Sequence, residues 1–486
     1  MLFFILVASA YSASLSADYR DNPGSYYRDP CPDSRPGTKC NEFDEYVWRK
    51  DENYKWEIVE TYTQFSGVTG YAILLHSQKW LDDSIYYIER EGPGSVVWSH
   101  WVNVWIPTGA NVDKELIDSA ILFVDGGKNS AGPPSLEDKY VKLGRFLCSI
   151  SGLVYVNIKQ IPNEKLIFHN DWKSSRTEDG IIALTWRHFL DYPEQPEWLL
   201  RFPMVKACLR AMDMTSELMV SLGSPVPVER WSVLGGSKRG WTSWMVAVAD
   251  PERVVAVAPI VLDLLNMREN LHHMWRNTGN WSFTFSDYWM EELLGRLDEP
   301  NFQLMAEYID PFFYKERLTM PKMIISSCGD EFFMPDDSHY FFDQLPGPKY
   351  MRLLPNAEHS TAISGLSAPH FAFSFRQFVL ATLKGYPLPQ FTWNRWDDPE
   401  GKKGGIELIT ETPVKSIYGW VGDTRSNFRR DFRLAGVRNN QKGNTLKPDY
   451  PDLPEGYPDK SPNKKKFIRQ LDLDEIEGDE DKMNFT

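Results

Sequence analysis

Cysteine is scarce in this sequence: there are 5 in 486 residues, none in a metal-type spacing, so no cysteine-ligated metal is expected. Basic excess is lacking too. The 53 Lys and Arg are outnumbered by 67 Asp and Glu, giving a net charge of −14, and nucleic-acid binding is excluded because it needs a basic footprint. Beyond the first residues no run is long and apolar enough to span a bilayer, so no membrane insertion is expected. There is no internal repeat. The histidines show no metal-type spacing, and the expectation is no cofactor and no metal.

What is present is a chain of ordinary apolar content, 42%, and high aromatic content, 14%, with 18 Trp. Its length accommodates one large domain with appendages, or two domains. The start, MLFFILVASAYSAS, pairs a short apolar core with an Ala8-Ser9-Ala10 cleavage pattern, so residues 1–13 are expected to be a secretion signal and the mature chain extracellular. In that compartment Cys31 and Cys40, bracketing a Pro/Gly-rich loop, are expected to form a disulfide, and Asn280 heads a glycosylation sequon. Cys148, Cys208 and Cys328 lie in apolar segments and are expected to be buried thiols.

The organisation reads as α/β. Residues 18–44 look irregular. From Glu45 to about Ile106, YKWEIVETYT, TGYAILLHSQKW and HWVNVWIP read as strands of an antiparallel meander. Strand and helix signals then alternate through SAILFVDGG, LVYVNIKQIP, RWSVLGG, VVAVAPIVL and KMIISSCG, which predicts a mostly parallel sheet covered on both faces. Aromatic-rich helical sequence at about 263–315 interrupts the rhythm and is the candidate cap within a main domain of 45–388. A small β-rich appendage is expected at 389–437 and a disordered acidic tail at 438–486.

The chemistry centres on WSVLGGSKRGWTSW. A strand runs into Gly235, Gly236 and Ser237, and a helix follows, as a nucleophile elbow requires. Arg239 stands where the common elbow has glycine, with Gly240 one place later, so an inert serine in a tight turn also fits the local sequence. Chain order favours the nucleophile. Asp330 and Glu331 follow one strand and His359 follows another, giving the order serine, acid, histidine of α/β-hydrolases. His359 would take the Ser237 proton, and Asp330, with Glu331 as the alternative acid, would orient the ring. The backbone N–H of Lys238 and one from the Gly126-Gly127 turn are the candidate oxyanion donors. The side chains of Lys238 and Arg239 either attract an anionic group or form salt bridges under the helix start. His272 and His273 read as surface or hydrogen-bonding residues of the cap.

Together RTEDGIIALTWRHFLD, FPMVKACLRAMD, VLGGSKRGWTSW, GDEFFMPDDS, LPGPKYMRLLPNAEHS and RRDFRLA resemble the PhoPQ-activated pathogenicity-related protein family, from about Glu45 to about Gly436. The resemblance implies an α/β-hydrolase fold with Ser237, Asp330 and His359 at the catalytic positions. It also implies a link to secreted amoebal signals that restrain growth. Three expectations follow: a secreted serine hydrolase acting on a peptide or ester substrate, a secreted growth-repressing signal that meets a cell-surface receptor without catalysis, and, given the tryptophan content, a carbohydrate esterase. Fold alone does not choose among them.

Overall fold

The computed structural model describes residues 40–86 and 96–421, apart from 170, 172, 174, 279–280, 356, 361–368 and 401–403, and then 433–437, 466–470, 474–477 and 483–485. The signal segment, Cys31 and Asn280 fall outside the described residues. Cys40 is disulfide-bonded.

The first described element is a helix, α1 (Glu42–Trp48), which starts in the stretch read as irregular up to residue 44 and runs into the one read as a meander from Glu45. Its start is fixed by a capping box, in which the Asn41 side chain accepts from the Asp44 amide and the Asp44 side chain accepts from the Asn41 amide. Asp44 is fully buried and takes a bidentate pair from Arg317 at 2.7 and 3.1 Å, which pins this short helix to the segment just before β8 (Lys322–Ser327). The helix has only seven residues after its Asn cap, too few for apolar periodicity to reveal it.

The meander is present as β1 (Lys55–Tyr62), β2 (Val68–Lys79) and β3 (Val97–Pro107), each antiparallel to the next. The parallel strands are β4 (Ser119–Val124), β5 (Val154–Ile158), β6 (Arg230–Gly236), β7 (Val254–Ile260), β8, and β9 (Lys349–Leu354). The sheet order is β1-β2-β3-β5-β4-β6-β7-β8-β9, so the order reverses between β5 and β6. This is the α/β-hydrolase arrangement: a mostly parallel sheet with antiparallel strands leading into it.

Both faces are buried, and the period of two along each strand divides the core in two. Ala120, Leu122 and Val124 of β4 face one cluster, and Ile121 and Phe123 face the other. The first cluster is covered by α1, α3 (Glu178–Asp191), α4 (Arg201–Ser221) and α5 (Lys238–Ala249), the second by α2 (Lys139–Ser151) and α9 (Pro369–Lys384). α2 stops at Gly152, whose φ of 73° is the left-handed cap that glycine adopts without strain.

Between β7 and β8 the chain leaves the sheet and returns, building a cap from α6 (Met267–Thr278), α7 (Ser286–Met290) and α8 (Pro300–Ile309). This is the expected insertion, and it rises from the carboxyl edge of the strands. Beyond the main sheet, β10 (Phe391–Asp397) and β11 (Gly404–Thr410) form the expected β appendage. Within residues 438–486, β14 (Lys466–Gln470), β15 (Asp474–Glu477) and β16 (Met483–Phe485) pair with β13 (Arg433–Val437), β12 (Tyr418–Val421) and β11. Each contains an apolar or aromatic residue amid the charges, which the net acidity of the tail conceals in a composition reading. Cys148 and Cys208 are buried free thiols as expected, whereas Cys328, at the end of β8, is only half-buried.

Candidate active site

β6 delivers Gly235 and Gly236 to the carboxyl edge at the centre of the sheet, between β4 and β7. The chain then turns into α5 through Ser237, whose φ of 57° and ψ of −127° lie outside the regions open to most residues. Such a backbone costs on the order of 1–3 kcal/mol and persists only where its surroundings enforce it. Here they do. The Ser237 amide donates to the Ile260 carbonyl of β7 at 2.8 Å, and the Ser237 carbonyl accepts from the Trp241 amide in the first turn of α5.

The glycines around the turn make the close approach possible. A Cβ on Gly235 would lie 2.6 Å from the Arg239 carbonyl oxygen, and one on Gly240 would lie 3.0 and 3.1 Å from the Ile260 and Gly235 carbonyl oxygens. Gly240 therefore performs the contact against the sheet, and Arg239, the departure from the common elbow, is free to point away. Its Nε donates to the Ile161 carbonyl at 2.6 Å and its guanidinium pairs with Glu178 at 2.6 Å.

Lys238 also pairs inward. Its Nζ lies 2.7 Å from Glu178 and 3.0 Å from Asp179. Burial alone would raise the Glu178 carboxyl, but Lys238 and Arg239 outweigh it and hold its pKa down to about 2. The salt-bridge expectation for Lys238 and Arg239 thus describes the structure, and the anion-attracting one does not. The acidic partners Glu178 and Asp179 were not singled out in the sequence, although the TED of RTEDG offered them as a pair at a helix start.

Ser237 is half-buried and lines a narrow cleft roofed by the cap. Its walls are mostly apolar, with Trp186, Trp241, Leu271, Phe285, Phe332 and Phe333 among them. The charged groups in the wall, Lys238 and Asp179, satisfy each other, and Tyr288 Oη donates to Asp179 at 3.1 Å. The cleft therefore presents an apolar surface beside the serine hydroxyl.

The acid and the histidine meet. His359 Nδ1 donates to Asp330 Oδ2 at 2.8 Å, with Oδ1 at 3.0 Å, and both residues are buried. Asp330 Oδ1 also accepts from the Phe332 and Phe333 amides at 2.7 and 3.1 Å, so the turn itself aims the carboxylate. Glu331 goes elsewhere and accepts from the His359 backbone amide at 3.1 Å. Burial depresses the imidazolium, but the Asp330 carboxylate more than offsets this, and the His359 pKa is raised above the ordinary histidine value. Asp263, at the end of β7, has its carboxyl pushed up to about 7 by burial, with Asp330 adding to the effect and the Ser326 hydroxyl opposing it.

Ser237 is among the residues that line the cleft, and His359 is reached from it through two phenylalanines. Phe332 and Phe333 line the cleft with Ser237, and their rings lie 4.8 and 5.8 Å from the imidazole. Among the described residues no hydrogen bond joins Ser237 Oγ to the His359 ring. Such contacts are often loose before substrate binds.

The candidate oxyanion donors divide. Lys238 is the first residue of α5, so its amide has no partner within the helix. The Gly126 amide donates to Asp125 Oδ1 at 2.8 Å. The room at Gly126 serves Arg239, because a Cβ there would meet the guanidinium at 2.5 Å. Gly127, with φ of 138°, retains the open backbone.

A family model described as PhoPQ-activated pathogenicity-related protein matches residues 43–433. Autocrine proliferation repressor protein A of Dictyostelium discoideum is 36% identical over 398 residues, 80% of this chain and 76% of that protein. Among solved structures, an acetyl xylan esterase from Paenibacillus sp. R4 is similar at 14% identity with a TM-score of 0.48, over 75% of this chain and 98% of that one. Acetyl Xylan Esterase 1 from Thermoanaerobacterium sp. JW/SL YS485 is similar at 16% identity with a TM-score of 0.41, over 74% and 96%.

Proposed function

The chain belongs to the PhoPQ-activated pathogenicity-related protein family, and from that premise we propose that it is a secreted, proliferation-repressing factor carried on an α/β-hydrolase scaffold. The observation that carries this reading is the 36% identity, across 80% of the chain, to a protein named as an autocrine proliferation repressor. The leading apolar segment with its cleavage pattern supports export. A cell-surface receptor is the partner this reading requires.

A second reading is favoured by the local geometry. In it the factor is also a serine hydrolase. Ser237 attacks a carbonyl, His359 Nε2 takes the hydroxyl proton, and Asp330 fixes the ring tautomer and stabilises the imidazolium. The Lys238 amide, with Gly127 as second donor, stabilises the oxyanion. The strained backbone at Ser237 and the 2.8 Å pair between His359 and Asp330 support this reading. The apolar cleft suits an apolar acyl group or side chain, which disfavours a polysaccharide acetyl ester as the preferred substrate.

The deciding experiment compares purified native protein with Ser237→Ala for two activities, fluorophosphonate labelling and repression of cell proliferation. Repression retained by a folded, unlabelled Ser237→Ala supports the factor acting through its surface. Loss of repression in that variant transfers the function to hydrolysis. Absence of labelling in the native protein removes the second reading, and absence of any effect on proliferation removes the first.

A further inference from the structure

We propose a zinc-type metal site formed by His273, Asp336 and Asp337, between the cap and the loop that carries Asp330. His273 projects from α6, and the two aspartates follow Asp330 on the loop after β8. His273 Nε2 lies 3.1 Å from Asp336 Oδ1 and 3.8 Å from Asp337 Oδ1, and one ligand atom from each residue falls within 4.8 Å of the others.

Asp337 supplies the independent observation. It is fully buried, and its Oδ2 is held by the Met334 amide at 2.8 Å. Its Oδ1, the oxygen directed at His273, has no hydrogen-bond partner. Among the described residues no lysine or arginine pairs with Asp337. A buried carboxylate oxygen in that condition is costly unless a cation or a proton meets it.

Burial pushes the Asp337 carboxyl well above the usual carboxylate range, so without a cation it holds its own proton rather than sharing that of His273. A proton on Nε2 serves Asp336 at 3.1 Å but leaves Asp337 Oδ1 beyond hydrogen-bond reach at 3.8 Å. A metal with bonds of about 2.0–2.2 Å to nitrogen and oxygen spans donor separations of about 3–4 Å, which covers both distances from His273 to the aspartates.

The surroundings fit as well. His273 Nδ1 lies 3.1 Å from Tyr340 Oη, so the second ring nitrogen has an oxygen partner that sets the tautomer and leaves Nε2 available as a ligand. The Asn277 amide lies 2.7 Å from Nε2, and a turn about its last torsion offers a carbonyl oxygen to the same spot. One imidazole with carboxylates suits zinc and its transition-metal neighbours better than calcium or magnesium, which favour all-oxygen shells. Asp336 is half-exposed and gives an ion a way in. Occupied, the site would tie α6 to the loop whose first turn aims Asp330 at His359, so the cap and the acid would be positioned together.

The test uses untagged full-length protein, stripped with a chelator and titrated with Zn²⁺ against a chromophoric competitor. The expected result is uptake of one equivalent, with affinity falling tenfold or more in His273→Ala and in Asp337→Asn, and a zinc-dependent rise in melting temperature in the native protein alone. Asp336→Asn, at a half-exposed position, is the variant that decides if Asp337→Asn does not fold. No uptake at micromolar zinc, affinity unchanged in His273→Ala and Asp336→Asn, or equal competition by Ca²⁺ or Mg²⁺ overturns the proposal. Ser237 chemistry is not a readout, so the outcome is separable from that of the proposed function.

Discussion

His359 donates from Nδ1 to Asp330 at 2.8 Å, while the adjacent acid, Glu331, binds the backbone amide of that same histidine at 3.1 Å. Two neighbouring carboxylates thus divide the work on one residue: Asp330 sets the tautomer of the ring and Glu331 holds the chain beneath it. Asp330→Asn should slow fluorophosphonate labelling of Ser237 by on the order of 10³–10⁴-fold, because the amide favours the wrong tautomer. Glu331→Gln should slow it less than about tenfold, since a hydrogen bond to the backbone only positions the loop. Labelling rates of the two variants check this, and equal losses would count against the division.

The raised pKa of His359 gives a pH dependence with a definite sign. The base must be neutral to accept a proton, so labelling of Ser237 should rise with pH through a midpoint above about 6.5. Stability runs the other way. The ion pair contributes fully below the unfolded histidine pKa and loses its contribution as pH rises through the folded one. NMR titration of the His359 ring should give a midpoint above about 6.5 in the native protein and a lower one in Asp330→Asn.

Gly235→Ala should destabilise the fold by about 1–3 kcal/mol, because the new Cβ would meet backbone atoms of Arg239 at 2.6–2.8 Å and neither strand nor helix yields easily. Urea unfolding monitored by tryptophan fluorescence measures it. A loss under about 0.5 kcal/mol, the range of ordinary surface changes, would mean that the elbow is not tightly packed.

Arg317→Met should cost about 3–5 kcal/mol, since it strands the Asp44 carboxylate in the interior. Replacing both partners, Asp44→Leu with Arg317→Met, should recover much of that loss. The double-mutant cycle, measured by denaturant unfolding, separates the pair from the packing around it.

If Ser237 is catalytic, the apolar cleft sets a preference: p-nitrophenyl butyrate or hexanoate should be cleaved with higher kcat/KM than the acetate, by about tenfold for the longest chain that fits. A flat series, or a preference for acetate, would remove the acyl-pocket assignment.

Most of the sheet was legible in the sequence because its strands are runs of branched and aromatic residues ended by glycine or proline. RWSVLGG is β6 residue for residue. The order of serine, acid and histidine was legible too, since each follows a strand. Other features depend on contacts distant in sequence. The helix capped by Asn41 is held through Asp44 by Arg317, 273 residues further on. The role of Gly240 appears only once Ile260 lies beside it. Glu178 and Asp179 become the partners of Lys238 only through the fold. His273 reads as an unremarkable cap histidine until a loop more than sixty residues later brings two aspartates to it. Acidic composition at the end of the chain obscured the short strands among its charges.

The Ser237 amide is bonded to the central strand beside it, whereas the roof over Ser237 comes from a separate excursion of the chain between β7 and β8. Descendants of this protein can therefore lengthen, shorten or repaint the roof, changing what is admitted, without relocating the hydroxyl. Divergence within such a lineage would collect in the lid, and the turn that carries Ser237 would outlast very different biological roles.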